Sequence, residues 1–235
     1  MGNHATAQLI GDRSHQCDAT ATYTHNGARA YVLCDGIGST PAVRRWTLAT
    51  TRRLAVVAAR HGDAEAGLRT VYTNIARQRA QRDPWTRDRM PAACAVVAVA
   101  APGKPLTVAW CGDSRAYLLT PTGTLTRLTE DHNLRRVRGG NRNLITSCLG
   151  GTDTDTETID HSGHPAIETV TRHADGCRLL LASDGAYEPL EDSCRTLSDY
   201  LIGTPTEAAR DFTQAAIDHA GQYADNATVL IADLD

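Results

Sequence analysis

Acids recur along this chain at the ends of apolar runs. Tyr31-Val32-Leu33-Cys34 leads into Asp35-Gly36-Ile37-Gly38, and Leu106 to Cys111 leads into Gly112-Asp113-Ser114. Leu179 to Ala182 leads into Ser183-Asp184-Gly185, and Asp225-Asn226 comes just before the apolar run Ala227 to Leu234. Asp18 precedes a further stretch, rich in Thr and Tyr. Short apolar runs of this kind suit buried strands, and Asp-Gly marks where a strand must turn. One such motif alone is an ordinary hairpin signal. Five acids at the edges of five strands can converge, if the strands share one core. Gly36 adds a backbone carbonyl that no side chain shields. Carboxylates beside a bare carbonyl form a hard oxygen donor set, suited to Mg²⁺, Mn²⁺ or Ca²⁺. Packed together they raise one another's pKa, so a structural core would not collect them without cations.

The elements that must position these acids can be read around them. Ala19 to Tyr23 and Ala28 to Cys34 read as strands joined by a turn at His25-Asn26-Gly27. Thr40-Pro41 offers an N-cap and a first-turn proline, followed at helical spacing by Val43, Trp46, Thr50, Leu54 and Val57, with Gly62 as the stop. Ala64, Leu68, Val71 and Ile75 give a second amphipathic helix, ended by Asp83-Pro84. Pro91 to Leu128 reads as all strand. Asp131 to Asn143, with Arg135, Arg136, Arg138 and Arg142, has no period and reads as a mobile, solvated surface loop. Thr152 to Thr158 reads as a polar loop, Ala166 to Val170 and Arg178 to Ala182 as strands, and Glu188, Glu191 and Asp192 as a solvated loop or helix start. Thr204-Pro205-Thr206-Glu207 is a capping box for a last helix with Ala209, Phe212, Ala216 and Ala220 on one face, closed by Gly221. Thr228 to Leu234 is the final strand. Helices packed on strands in this order predict an α+β arrangement in layers.

Taken together in order, these motifs resemble the metal-dependent PP2C (PPM) family of serine/threonine protein phosphatases, bacterial type. Arg13-(x4)-Asp18 resembles the family's R-x-x-x-E-D, Asp35-Gly36-Ile37-Gly38 its D-G-x-G, and Cys111 to Tyr117 its V-G-D-S-R-A-Y. Leu128 to His132 resembles L-T-x-D-H, Asn143 to Gly150 resembles N-x-I-T-R-A-L-G, and Ser183-Asp184-Gly185 and Asp225 to Thr228 resemble the last two acidic motifs. The resemblance implies a four-layer α-β-β-α sandwich, two central antiparallel sheets flanked by helices, as a single domain over 1–235 with a shortened flap at about 133–142. It implies hydrolysis of phosphoserine and phosphothreonine by a water held between two Mn²⁺ or Mg²⁺ ions. Carried over, Asp35 bridges both ions, Gly36 gives its carbonyl to one, and Asp184 and Asp225 complete the other. Asp113 serves a third, weaker ion with Asp184. Asp18 orients metal-bound water, and Arg13 grips the phosphate. The implied partners are a phosphoprotein substrate and an opposing Ser/Thr kinase.

Some residues depart from the family pattern. Cys17 stands where the family has a glutamate beside the metal waters, and losing an outer contact of that kind costs about 10–100-fold in affinity or activity. Ile37 stands where many eukaryotic members have a histidine proposed as general acid, Ser39 where bacterial members have glycine, and Ala92-Ala93-Cys94 where G-T-T is usual. The flap between Asn133 and Arg142 is short. An active phosphatase is the first reading. A catalytically weakened regulatory or binding module of the same fold is the alternative. Ser114 has no His/Asp partner pattern for a nucleophile and reads as a turn residue, and His132 as a structural hydrogen-bonding residue.

Composition narrows the class. The chain has 235 residues, 41% of them hydrophobic, enough for one sizeable core. A formal charge of −3 gives no basic field for nucleic acid. Its seven cysteines are odd in number and dispersed, with no C-x-x-C, which suits a reduced cytoplasm better than disulfides or zinc. The longest apolar stretch, Ala92 to Ala101, is too short for a bilayer, which takes roughly 20 residues. Met1-Gly2-Asn3-His4-Ala5-Thr6 fits the loose myristoylation pattern, one that matches often by chance. The expectation is a cytoplasmic monomer with no membrane or nucleic-acid partner.

Overall fold

Alternation along the strands sets the layers. In the strand Ala28–Gly36, Ala30, Val32 and Cys34 pack on one side with Leu54, Ala58, Leu68 and Val71 of two helices. Tyr31 and Leu33 pack on the other side with Leu118, Leu179, Leu181 and Leu230 of a facing sheet. The period of two therefore serves two apolar cores at once, which is why these strands read as continuous apolar runs.

The computed structural model describes residues 3–234, so Met1 and Gly2 of the acylation-like pattern lie outside the described residues. The chain runs β1 (His4–Leu9), β2 (Ala19–His25), β3 (Ala28–Gly36), α1 (Pro41–His61), α2 (Ala64–Ala80), α3 (Pro84–Arg87), β4 (Ala93–Ala100), β5 (Leu106–Cys111), β6 (Arg115–Leu119) and β7 (Leu125–Arg127). It continues through α4 (Leu134–Arg138), α5 (Asp155–Ser162), β8 (Glu168–Arg172), β9 (Arg178–Ala182), α6 (Asp184–Asp192), a 3-10 helix (Leu197–Tyr200), α7 (Pro205–Asp218) and β10 (Ala227–Asp233). One sheet has the order β1-β10-β9-β6-β7 and the other β2-β3-β4-β5-β8. Every pairing in both is antiparallel. Helices α1 and α2 cover the second sheet, and α6 and α7 cover the first through Ala186, Leu190, Phe212 and Ala216 on Leu180, Val229 and Ile231. This is the expected four-layer α-β-β-α sandwich.

The capping signals hold. Thr40 accepts from Val43 N–H at the start of α1 and Gly62 closes it in the left-handed region, while Thr204 and Glu207 form the reciprocal box of α7. Other expectations need correction. Helix α2 ends at Ala80 with Gln81 as its cap, before Asp83-Pro84, which instead caps and opens α3, because Asp83 accepts from Thr86 N–H. The Thr152–Thr158 segment is not all loop: Thr154 and Glu157 make a second capping box that starts α5. The arginine-rich stretch forms α4, capped by Asn133. Arg136 pairs with Glu168, and Arg142 pairs with Glu188 and Asp192, so those two side chains are anchored rather than solvated. Helix α7 ends at Asp218, with His219 rather than Gly221 as its cap. Strand β1 and helix α6 carry too little periodicity to read from the sequence. All seven cysteines are unpaired.

Candidate functional site

The ends of β3, β5 and β9 and the start of β10 open onto one cavity of about 610 Å³, lined by Asp35, Asp113, Asp184 and Asp225. Asp35, Asp113 and Asp184 each bring a carboxylate oxygen within 4.8 Å of the other two. Close backbone approaches make this possible. A Cβ on Gly36 would lie 2.6 Å from both the Cys17 carbonyl oxygen and Thr47 Oγ1, so only glycine lets β3 end against α1 here. A Cβ on Gly185 would lie 2.3 Å from the Asn226 carbonyl oxygen, so glycine also lets α6 begin against the start of β10. Asp184 and Asp225 are brought side by side as a result.

The electrostatics are those of a site built for positive charge. Burial, and then the carboxylates of Asp18, Asp184 and Asp113, raise the Asp35 carboxyl well above its ordinary value. Burial and Asp184 do the same to Asp113. Burial, followed by the Asp225 charge, raises Asp184. Asp18 is only 7% exposed, and burial with the neighbouring Asp184 carboxylate pushes it up to about 7. Its Oδ2 has no hydrogen-bond partner among the described residues. An orphaned buried carboxylate oxygen beside three clustered carboxylates fits divalent cations with their bound water.

Arg13 and Asp225 stand together on the wall of the cavity. Arg13 Nε donates to Asp225 Oδ1 at 2.6 Å and Nη2 donates to Oδ2, a bidentate pair. The guanidinium also lies over the Tyr223 ring, 5.5 Å from its centroid. A carboxylate has roughly four lone-pair sites, so Asp225 keeps acceptor capacity while Arg13 holds it. Cys17 is buried outside the cavity lining, its Sγ 3.7 Å from the Thr40 carbonyl and its N–H held by Asn226 Oδ1 at 2.7 Å. Gln16 is also turned away, donating to the Leu9 carbonyl. Cys17→Ala should therefore leave the midpoint of a Mn²⁺ titration unmoved and cost at most about 1–2 kcal/mol of stability for the lost packing. A shifted midpoint would return the thiol to the metal site.

Residues that the sequence left on the surface also line the cavity. Glu188 is one helical turn beyond Asp184 on α6, and burial with the Asp184 charge pushes it up to about 7 despite Arg142. The i,i+4 spacing from an acid at a helix start was the available signal. Arg142 Nε lies 3.0 Å from Glu188, and its other nitrogens hold Asp192 at 2.9 and 2.6 Å, so the flap is fastened to α6. His132 is buried and structural: Nε2 donates to Glu168 at 2.9 Å while Nδ1 accepts from Gly112 N–H at 3.4 Å. Its ring stacks on His164 at 4.1 Å.

Comparison with known proteins bears on this arrangement. The protein phosphatase 2C family model matches residues 17–138, more than half of the 235-residue chain. No match is found among curated proteins. Among solved structures, the chain is similar to the serine/threonine phosphatase PstP/Ppp of Mycobacterium tuberculosis, with 25% identity, a TM-score of 0.72, and coverage of 100% of this chain and 99% of that one. It is similar in fold to the serine/threonine phosphatase Stp1 of Staphylococcus aureus, with 20% identity, a TM-score of 0.76, and coverage of 100% and 96%. PppA of Pseudomonas aeruginosa gives 21% identity, a TM-score of 0.76, and coverage of 99% and 97%. The family model spans Asp18, Asp35 and Asp113, the match in fold runs on through the rest of the chain, and the chain belongs to the protein phosphatase 2C family.

Proposed function

We propose that this chain is a serine/threonine protein phosphatase dependent on two divalent cations, Mn²⁺ or Mg²⁺. The observation that carries the reading is the convergence of the Asp35, Asp113 and Asp184 carboxylates within 4.8 Å in one cavity, with Asp225 and Arg13 on its wall. Asp35, the Gly36 carbonyl, Asp184 and Asp225 would hold the two ions, and Asp113 with Asp184 a third. When bound, such ions lower the pKa of coordinated water towards neutrality and offset the charge of phosphoryl oxygens.

The chain's own side chains do the rest. Arg13 gives Nε and one Nη2 hydrogen to Asp225, which leaves Nη1 and the outer Nη2 hydrogen to meet phosphate oxygens, and Tyr223 braces its plane. Asp18 offers its unpartnered oxygen as an acceptor, so it can orient water and hold a proton near neutral pH. Ser114 is buried with no basic partner for its hydroxyl, so no side-chain nucleophile is assigned. The substrate is a phosphoprotein, opposed by a serine/threonine kinase, and the enzyme acts as a cytoplasmic monomer with one phosphatase domain over 1–235. No helix among the described residues is long and apolar enough to cross a membrane. A regulatory module with weakened catalysis would lack part of this donor set, whereas Asp35, Gly36, Asp113, Asp184 and Asp225 all line the cavity.

The test is hydrolysis of a small aryl phosphate ester by the purified protein. Turnover is expected with Mn²⁺ or Mg²⁺ and none after chelation. Turnover that survives chelation overturns the metal assignment, and no turnover under any metal overturns the phosphatase reading.

A further inference from the structure

Helix α1 carries charge of one sign. Arg44, Arg45, Arg52, Arg53 and Arg60 are all exposed, and helical spacing puts the five on one half of its surface. Arg45 with Arg52, and Arg53 with Arg60, repeat at seven residues and fall into two rows. From Arg44 to Arg60 the face is about 24 Å long. Among the described residues none of the five makes an ion pair, whereas Arg69, Arg115 and Arg178 each hold a carboxylate. Nothing packed against α1 offsets this charge. Between Ala19 and Gly62 the single acid is Asp35, which lines the cavity. That span includes β2 and β3, which lie under α1, and β4 has no acid either. On the neighbouring α2, Arg69 holds Glu65, and Asp63 is spent on the N-cap. The whole chain has 27 acids to 24 Lys and Arg, so a bare arginine face is a local departure from its composition.

The face begins at the cavity. Ile37 and Gly38 line the cavity and Thr40 caps α1. A Cβ on Gly36 would lie 2.8 Å from a Val43 methyl, so the first turn of α1 is set against the end of β3. Arg44 and Arg45 follow directly on that turn, and the other arginines lead away along the helix. Resting on the phosphatase reading, we propose that the arginine face of α1 docks an acidic segment of the phosphoprotein substrate while the phosphorylated residue lies in the cavity. An extended segment of roughly seven residues spans the face. Its carboxylates meet guanidinium groups, which take them two oxygens at a time. A membrane fits less well, because the apolar side of α1, with Leu54 and Ala58, is already spent on the sheet. A nucleic acid fits less well on a chain with a formal charge of −3, where the basic surface leads into a cavity of carboxylates.

Unphosphorylated peptides of one length, carrying a block of glutamate, glutamine or lysine, test this by fluorescence anisotropy. The glutamate peptide should bind most tightly, and its affinity should fall as salt rises. Each exposed ion pair is worth up to about fivefold in affinity, so Arg45→Gln with Arg52→Gln should weaken that peptide by about tenfold. Glutamine keeps the helix propensity, and a thermal melt checks the fold. Lys104→Gln with Arg127→Gln removes the same charge from exposed positions outside α1 and should change the affinity by less than about twofold. With a phosphothreonine added to each peptide, the α1 pair should narrow the glutamate-over-glutamine ratio of kcat/KM by about tenfold. Equal binding of the three peptides, or an equal loss in the Lys104 and Arg127 variant, overturns the docking face. Tighter binding of oligothymidylate or of phosphatidylserine vesicles than of the glutamate peptide also overturns it. Acidic binding without turnover of any phosphopeptide overturns the phosphatase reading and leaves the docking face, and turnover without acidic preference does the reverse. If the first pair lowers the melting temperature, Arg53→Gln with Arg60→Gln decides.

Discussion

Asp35→Asn is expected to leave a folded protein whose turnover of phosphate esters falls by well over about 100-fold, the upper cost of losing a contact outside the ligand shell. Asp35 sits at the centre of the acid cluster, facing Asp18, Asp184 and Asp113. In the proposed site one carboxylate serves both ions, so an amide there weakens both at once. Fold and activity should separate in an informative way. Asp35 is half-buried among like charges, so its amide relieves repulsion in the metal-free protein. The variant should melt no lower, and in chelator slightly higher, than the parent. Circular dichroism and a thermal melt check the first half, and the aryl ester assay with Mn²⁺ checks the second. A fully active Asp35→Asn protein contradicts the assignment. An unfolded one would mean that the carboxylate holds β3 in place.

The reasons that Asp35 could be found in the sequence also explain what could not. Asp35, Asp113 and Asp184 lie where an apolar run stops and Asp225 just before one starts, and burial on both faces of the sheets makes those runs continuous. Order along the chain, matched to a family pattern, then joined them into one site. Local capping was legible for the same kind of reason: Thr40-Pro41 and Thr204-Pro205 carry their own chemistry.

Pairing across the fold was not legible. Arg142 reads as one of several arginines in an aperiodic stretch, and only the packing of the flap on α6 brings it to Glu188 and Asp192. Glu188 reads as surface because α6 is short and interrupted by Pro189, which hides its period. The Arg13–Asp225 pair joins residues from opposite ends of the chain, and no local pattern links them. Cys17 shows the reverse limit. Its place in the motif suggests a role beside the metal waters, while backbone direction sends its thiol to the Thr40 carbonyl.

Removing the cations is expected to make stability fall as pH rises. Asp18 has an ordinary value of 3.8 and a folded value pushed up to about 7 by burial and the Asp184 carboxylate. Below pH about 4 it is protonated in both folded and unfolded chains. Between there and about 7 the folded chain keeps a proton that the unfolded chain has released, so each step up in pH takes stability away. Asp35 and Asp113 are raised well above their ordinary value, burial first and neighbouring carboxylates next, and Asp184 is raised by the same causes, so they add to the loss with the same sign. Mn²⁺ takes the place of those protons. A ligand at a hundredfold its Kd stabilises by about 2.7 kcal/mol, so each ion should raise the melting temperature by about 5–10 °C in a chain of this size. Melts at pH 5, 6, 7 and 8, in chelator and in saturating Mn²⁺, make the comparison. The chelated protein should melt highest at the acid end of that range, and the Mn²⁺ increment should grow towards pH 8, where protons no longer compete for the carboxylates. A chelated protein that gains stability from pH 5 to 8, or a melt indifferent to Mn²⁺ at pH 8, would mean that the cluster tolerates its own charge and needs no cation.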